Sequence, residues 1–236
     1  MSPHEISISI ADSRGEGGTA LVIVLLSMML LAALGIALSV TIDTETRIAA
    51  TYEWSAEALY AADAAVERAI QELTVLRDWT PVLAGVVMST MIDGAPGSRL
   101  LSDGSRLDLN EQTDLLNCGH LSCSAADLTN VTAERPLGSN NPEWQLYGHA
   151  SLASLTPSIQ VESKTYVVVW VADDPLENDG QPRIDGDETR GPNPGAGLMQ
   201  LRARSYGPSG ARRMIEVTLR RVDSRVDVIA WREVRP

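Results

Sequence analysis

The densest group of possible ligand side chains is an acidic stretch between two predicted β-strands. Seven carboxylates lie between Asp173 and Glu188, and Pro175 and Pro182 keep the stretch out of regular structure. In proteins, Ca²⁺ takes about six to eight oxygen ligands from carboxylates, amides and backbone carbonyls. The side chains that would bind Ca²⁺ here are Asp173, Asp174, Asn178, Asp179, Asp185 and Asp187.

The same stretch has a second interpretation, which the residues leave open. Asp185-Gly186-Asp187 lacks, at the required places, the glycine and the distal glutamate of an EF-hand loop. A solvated acidic loop would also have many carboxylates without a matched spacing. Calcium is therefore the one cofactor that the sequence suggests, and an acidic loop that binds no ion is the alternative.

The second group with chemical potential is Cys118 and Cys123, with His120 between them. A structural zinc site usually has four ligands, and this cluster offers three at irregular spacing. Two cysteines this close form a disulfide where no glutathione pool reduces them. We expect a Cys118–Cys123 disulfide if the region is extracytoplasmic, with free thiols or zinc as the alternatives.

Catalytic patterns find little support. His4, His120 and His149 are the only histidines, and none lies in a recognisable nucleophile motif. Phosphate-binding loops and zinc-protease motifs do not occur. The net charge of -12 and a pI of about 4.6 disfavour a phosphate backbone as partner. We expect neither an enzyme nor a nucleic-acid-binding protein.

The first element predicted along the chain is a long helix. It begins with an apolar run from Ala20 to Val40. A bilayer-spanning helix needs about 20 apolar residues. A cleaved secretory signal has an apolar region of only about 7–15 residues. The length of this run therefore favours a retained membrane anchor, and a signal-anchored periplasmic domain that does not assemble is the simpler alternative.

Helical periodicity continues beyond the apolar run. No proline occurs between Pro3 and Pro81, and Trp79-Thr80-Pro81 is the expected stop. Apolar residues at steps of three and four predict one buried face on this part of the helix. They are Ile48, Tyr52, Ala56, Leu59, Ala62, Val66, Ile70 and Leu73.

The rest of the chain forms the predicted head. Residues 82–160 alternate short apolar pieces with turn residues and are expected to be rich in loops. Residues 163–234 are expected to form an antiparallel β-meander covered on one face by the amphipathic helix. The predicted strands are 164–172, 198–206, 214–222 and 226–234. The predicted segments are a leader (1–18), a membrane or assembly helix (19–42), an amphipathic helix (43–79) and a head (80–236).

Several motifs carry a family resemblance. Gly17-Gly18-Thr19-Ala20-Leu21-Val22-Ile23 resembles the class III signal of type IV pilins. Two further stretches, Thr44 to Ala50 and Glu57 to Glu67, are similar to the N-terminal region of PilX-type minor pilins. The resemblance implies an α+β pilin-like fold, with a long N-terminal helix packed on a C-terminal antiparallel sheet. It also implies cleavage between Gly18 and Thr19 by prepilin peptidase and methylation of the new N-terminus.

One position departs from the common pilin pattern. Most pilins have a glutamate as the fifth mature residue, and Ile23 stands there. PilX-type minor pilins and K-type pseudopilins of type II secretion share this lack. The resemblance implies a minor pilin that starts pilus assembly and lies at or near the tip. Its expected partners are other minor pilins, the major pilin and a PilY-type adhesin.

The resemblance also implies a location and leaves alternatives. The helix would lie in the bacterial inner membrane and the head in the periplasm, before assembly into a cell-surface pilus used in adhesion or motility. A K-type pseudopilin that caps a type II secretion filament has the same architecture. A membrane-anchored calcium-binding domain that does not polymerise is the alternative from another class.

Overall fold

The computed structural model describes residues 16–155, 162–177, 179–186 and 195–234, and the chain divides into two compact units, Met1–Ala50 and Thr51–Pro236. Asn178 and Asp187 lie outside the described residues. The helices are α1 (Glu16–Thr74), α2 (Thr80–Leu83), α3 (Leu109–Cys118), α4 (Ala125–Thr129) and α5 (Leu152–Leu155). The strands are β1 (Ser98–Leu100), β2 (Arg106–Asp108), β3 (Gln145–Ser151), β4 (Tyr166–Asp173), β5 (Leu198–Tyr206), β6 (Arg212–Val222) and β7 (Arg225–Val234).

The first unit contains α1 up to Ala50. Every side chain from Gly18 to Ala49 is exposed, including the whole apolar run. Among the described residues, α1 is the one helix that is long and apolar enough to cross a membrane. The predicted unbroken N-terminal helix is confirmed.

In the second unit, the remainder of α1 buries a stripe of mostly small residues. Its members are at most 1% exposed and recur at steps of one, three and four: Ala58, Ala61, Ala62, Ala65, Val66, Ala69 and Leu73. All of them except Ala58 share one core with residues of the sheet such as Val169, Leu201 and Val217. Because an alanine side chain is a single methyl group, this part of the helix adds little side-chain bulk to the core that it shares with the sheet.

The buried stripe differs from the predicted one. Tyr52, on the predicted face, is 78% exposed, whereas Ala61 and Ala65 are fully buried. The buried residues do recur at helical spacing, as predicted. The buried face of α1, however, is turned away from Tyr52 and towards the alanines. Size explains the rotation, because close packing on a sheet selects small residues over large apolar ones.

The sheet is a five-stranded antiparallel meander in the order β3-β4-β5-β6-β7. The four predicted strands correspond to β4–β7, and the α+β fold class is confirmed. The fifth strand, β3, lies in the region expected to be rich in loops. At Gly148 in β3, a Cβ would lie 2.7 Å from Met91 Cε and 3.1 Å from Ser89 Cβ, so the glycine permits a close approach of the neighbouring segment.

Around β4 the sheet is covered on both faces, although only one cover was predicted, whereas the edge strand β7 is largely exposed. All eight residues of β4 are buried. Val167, Val169 and Val171 face the core that α1 shares, and Val168 and Trp170 face a second core with Leu107 and Leu109. Burial on both faces explains why β4 is continuously apolar instead of alternating.

Helix α1 ends at Thr74, before the predicted stop. Pro81 instead lies in the first turn of α2, where a missing N–H is tolerated. Trp79 is fully buried, and its Nε1 donates to the carbonyl of Leu73 at 3.1 Å. This bond accounts for one of the carbonyls left without a partner where α1 ends.

The close contact between α1 and the sheet predicts a strong dependence on side-chain size. Ala65→Leu should lower the free energy of unfolding by about 1–3 kcal/mol, because the added methyl groups have no space in the core. Ala64 is the matched control, since it is adjacent and exposed. Ala64→Leu should change it by less than about 0.5 kcal/mol. Urea unfolding of the full chain in detergent, followed by tryptophan fluorescence, measures both, and equal effects would contradict the packing described.

Candidate functional site

The acidic loop starts where β4 ends and is held to the head by two ion pairs. Arg183 Nε donates to Glu143 Oε2 at 2.9 Å, just before β3. Arg221 Nη2 donates to Asp185 Oδ2 at 2.6 Å, at the end of β6. These contacts fix the two sides of the described loop, so its carboxylates are not simply spread in solvent.

Asp185 is an anchor and not a free ligand. Its Oδ1 accepts the backbone N–H of Gly197 at 2.8 Å, and its own N–H donates to Thr80 Oγ1 at 3.2 Å. Arg221 binds its other oxygen and stacks over the ring of Trp79 at 4.7 Å. Both carboxylate oxygens are therefore engaged inside the protein, which argues against the role of calcium ligand that the sequence suggested for Asp185.

A second segment, residues 138–142, faces the loop and is held by a buried arginine. Arg135 is 3% exposed. Its guanidinium donates at 3.0–3.3 Å to the carbonyl oxygens of Leu128, Asn117, Pro142 and Asn141. This network fixes a 3-10 turn, Gly138–Asn140, whose last residue reaches the acidic loop.

The two segments enclose a small polar pocket with a volume of about 10 Å³. Its polar lining comes from Asn140, Asp173, Asp174, Glu177, Asp179 and Gln181. Three oxygens of this lining are buried without a hydrogen-bond partner in the protein: Asp173 Oδ1, Asp179 Oδ2 and Asn140 Oδ1. Buried polar atoms nearly always have a partner, so three such oxygens around one pocket need an explanation.

The pocket brings together carboxyl groups whose negative charges repel one another. Asp173 is 2% exposed. Its burial, together with the nearby charge of Glu177, raises the pKa of Asp173 to about 9. Asp174 and Asp179 each use one oxygen to accept a backbone N–H within the loop, from Leu176 at 3.0 Å and Gln181 at 2.7 Å. The pocket therefore gathers several carboxyl groups with no basic side chain in its lining, and Asp173 binds a proton more readily than an exposed carboxylate does.

The expected ligand set is brought together only in part. Asp173, Asp174 and Asp179 line the pocket, and Asn140 and Glu177 join them. Within the described ranges, no group of three or more His, Cys, Asp and Glu side chains has the arrangement of a metal site by itself. Sequence reasoning missed Asn140, because it is more than thirty positions before Asp173 and nothing local links the two.

The disulfide prediction is confirmed. Cys118 ends α3 and is bonded to Cys123, with the two Cα atoms 5.7 Å apart. Helix α3 begins at Asp108, whose side chain accepts the N–H groups of Asn110 and Glu111, and it ends at a left-handed Gly119 with φ 74°. Helix α3 therefore ends at a defined residue, and the disulfide closes the short loop that follows it.

The apolar part of α1 carries the predicted processing and assembly residues. Gly18 and Thr19 lie in the first turns of the helix, and Ile23 is 63% exposed. Further along, the hydroxyls of Thr41, Thr44 and Thr46 donate to the carbonyls four residues earlier at 2.8–3.0 Å. These hydroxyls need no partner outside the helix, which suits apolar surroundings.

The fold and the exposed helix define a class: an α+β protein whose long N-terminal helix packs on an antiparallel sheet with its last part, as in a pilin-like fold. Comparison with known proteins goes no further. No protein-family model, no curated protein and no solved structure matches this chain.

The anchoring role of Asp185 can be measured. Asp185→Asn should lower the free energy of unfolding by about 3–5 kcal/mol with a chelator present, because Arg221 keeps its charge and loses its partner. The matched control is Asp227→Asn, which breaks the exposed pair with Arg225 and should change it by less than about 1 kcal/mol. Denaturant unfolding in detergent provides both values. A small effect of Asp185→Asn would mean that this side chain is available as a ligand.

Proposed function

We propose that this chain is a minor pilin that helps to start assembly of a type IV pilus and lies at or near its tip. The observation that carries the proposal is the division of α1. Its first part is apolar and exposed, and its last part forms the core of the second unit. This division suits a subunit that is anchored by a helix and presents a folded head.

The exposed apolar part of α1 needs a cover that the chain itself does not supply. Leu21, Met29 and Leu31 are 62%, 71% and 68% exposed. A continuous apolar surface of this length is unstable in water. Lipid chains before assembly, and apolar helices of neighbouring subunits after it, would both cover it.

The disulfide supports an extracytoplasmic head, because such bonds persist in oxidising compartments. The proposed arrangement therefore has the helix in the bacterial inner membrane and the head in the periplasm. Prepilin peptidase would cut between Gly18 and Thr19 and methylate the new N-terminus. The role is structural, with other minor pilins, the major pilin and a PilY-type adhesin as partners.

Ile23 supports a position at the start of the filament. A carboxylate at this depth would cost a few kcal/mol unless it were paired. A subunit with isoleucine there has neither that cost nor the means to pair with the amine of a subunit above it. The same residue also favours the second candidate, a K-type pseudopilin at the tip of a type II secretion filament, and the neighbouring genes would separate the two.

The processing site gives the first test. Gly18→Leu should leave the precursor at full length, because the peptidase accepts a small residue before the cut. Gly35→Leu is the matched control, since an added Cβ meets nothing within 4 Å at either glycine. Mass spectrometry of the N-terminus should find Thr19 first in the wild type and in Gly35→Leu. A mature chain that starts beyond Val40 would refute the proposal.

Position 23 gives the second test. Ile23→Glu should reduce the amount of this chain in the membrane or in the initiating complex, because a carboxylate without a partner is costly there. Ile23→Leu keeps the apolar surface and should behave as the wild type.

Deletion of the gene should reduce the number of pili and leave their width unchanged. Quantitative proteomics of sheared pili should find a trace of this chain, and a ratio near one to one with the major pilin would contradict a tip position.

A further inference from the structure

The pocket between the acidic loop and the 138–142 segment has the chemistry of a cation site. Its three oxygens without hydrogen-bond partners come from two segments that are far apart in the chain. Asp173 Oδ1 is the most informative of them, because this residue is 2% exposed and its position at the end of β4 is fixed by pairing with Met199 of β5. A carboxylate oxygen held there cannot turn out to water.

The second oxygen lies across the pocket on the opposite segment. Asn140 Oδ1 is 3.6 Å from the point where a Cβ would stand on Gly180, next to Asp179. Gly180 has φ 73°, a conformation that glycine adopts without strain, and its missing side chain lets the amide oxygen approach the loop. The third oxygen, Asp179 Oδ2, belongs to the same turn of the loop.

No hydrogen bond joins these three oxygens to one another or to another group of the pocket. The pocket lining has no Lys or Arg side chain, and none of the three oxygens accepts a hydrogen bond from the side-chain amides of Asn140 and Gln181. Leaving a buried acceptor without a partner destabilises the folded state. A bound cation removes this destabilisation for all three at once.

We propose that this pocket binds one Ca²⁺ ion through two carboxylates and one amide oxygen, those of Asp173, Asp179 and Asn140. The lining contains no His or Cys, so a transition metal has no nitrogen or sulfur ligand here. Ca²⁺ accepts mixed carboxylate and amide ligands in irregular geometry, and it completes its shell with water or backbone carbonyls. Mg²⁺ requires a near-ideal octahedron, for which two separate segments are poorly suited.

The proposed ion joins the 138–142 segment to the loop after β4. Its ligands come from two segments that are more than thirty positions apart, unlike those of an EF-hand, which explains why no linear motif marks the site. Extracellular calcium modules bind with dissociation constants on the order of 0.1–1 mM. A site of this class would be filled outside the cell and largely free of ion inside it.

The experiment uses the full chain in detergent micelles after removal of metal by a chelator. Equilibrium dialysis with radioactive Ca²⁺ should find one ion bound for each chain. Saturating Ca²⁺ should raise the melting temperature by about 5 °C, and Mg²⁺ at the same concentration should raise it by much less.

Two variants and one control test the ligands. Asp173→Asn keeps the shape of the side chain and removes its charge, and Asn140→Ala removes the opposite oxygen. Both should weaken Ca²⁺ binding at least about tenfold and abolish the thermal shift, with circular dichroism confirming the fold. Asp223→Asn is the control for lost charge, since Asp223 is exposed and its φ of 55° suits asparagine.

The outcomes separate clearly. The site is supported if both variants lose Ca²⁺ binding and the control binds as the wild type does. If Asp173→Asn does not fold, loss of binding in Asn140→Ala alone supports the site. Absence of saturable Ca²⁺ binding would overturn the proposal. So would unchanged binding in folded Asp173→Asn and Asn140→Ala, or equal thermal shifts with Ca²⁺ and Mg²⁺.

Discussion

The close contact between the alanine stripe of α1 and the sheet is the constraint on which the head depends. Ala61, Ala65 and Ala69 are fully buried in the core that α1 shares with the central strands. Polar contacts at the edge of this interface fix the helix in register: Glu57 accepts from Thr165 at 3.0 Å, and Arg213 donates to Ser55 at 3.1 Å. With one face covered by α1, the other face of the sheet is left for α3 and the β1–β2 hairpin, and the polar pocket forms beside that second layer, where β4 ends.

The sequence predicted the elements whose pattern is local. An apolar run without proline was sufficient for α1, and β-branched runs were sufficient for β4–β7. It did not predict β3, because Gly148 and the buried His149 interrupt the apolar pattern there. His149 is accommodated by long-range partners, with its Nδ1 2.9 Å from Asp93 Oδ1 and 3.2 Å from the Tyr166 hydroxyl. Partners 17 and 56 positions away leave no local signal.

The polar pocket shows the same limit. Carboxylate density marked the region, and composition alone could not divide the acids into anchors and possible ligands. Asp185 is an anchor because Arg221 of β6 lies opposite it. Asp173 has no arginine partner of this kind in the described part of the chain. The Arg135 network that presents Asn140 depends on four carbonyls spread from Asn117 to Pro142. A single arginine in a loop-rich stretch gives no sign of that role before the chain is folded.

The threonines at the end of the apolar part of α1 affect how easily this part of the helix can move from one medium to another. A hydroxyl that usually bonds to its surroundings must exchange its partner whenever those surroundings change. Thr41, Thr44 and Thr46 bond instead to carbonyls of their own helix turn. Their hydrogen bonds are therefore the same in lipid, against protein or in water, and this stretch can pass from one medium to another without breaking a polar contact.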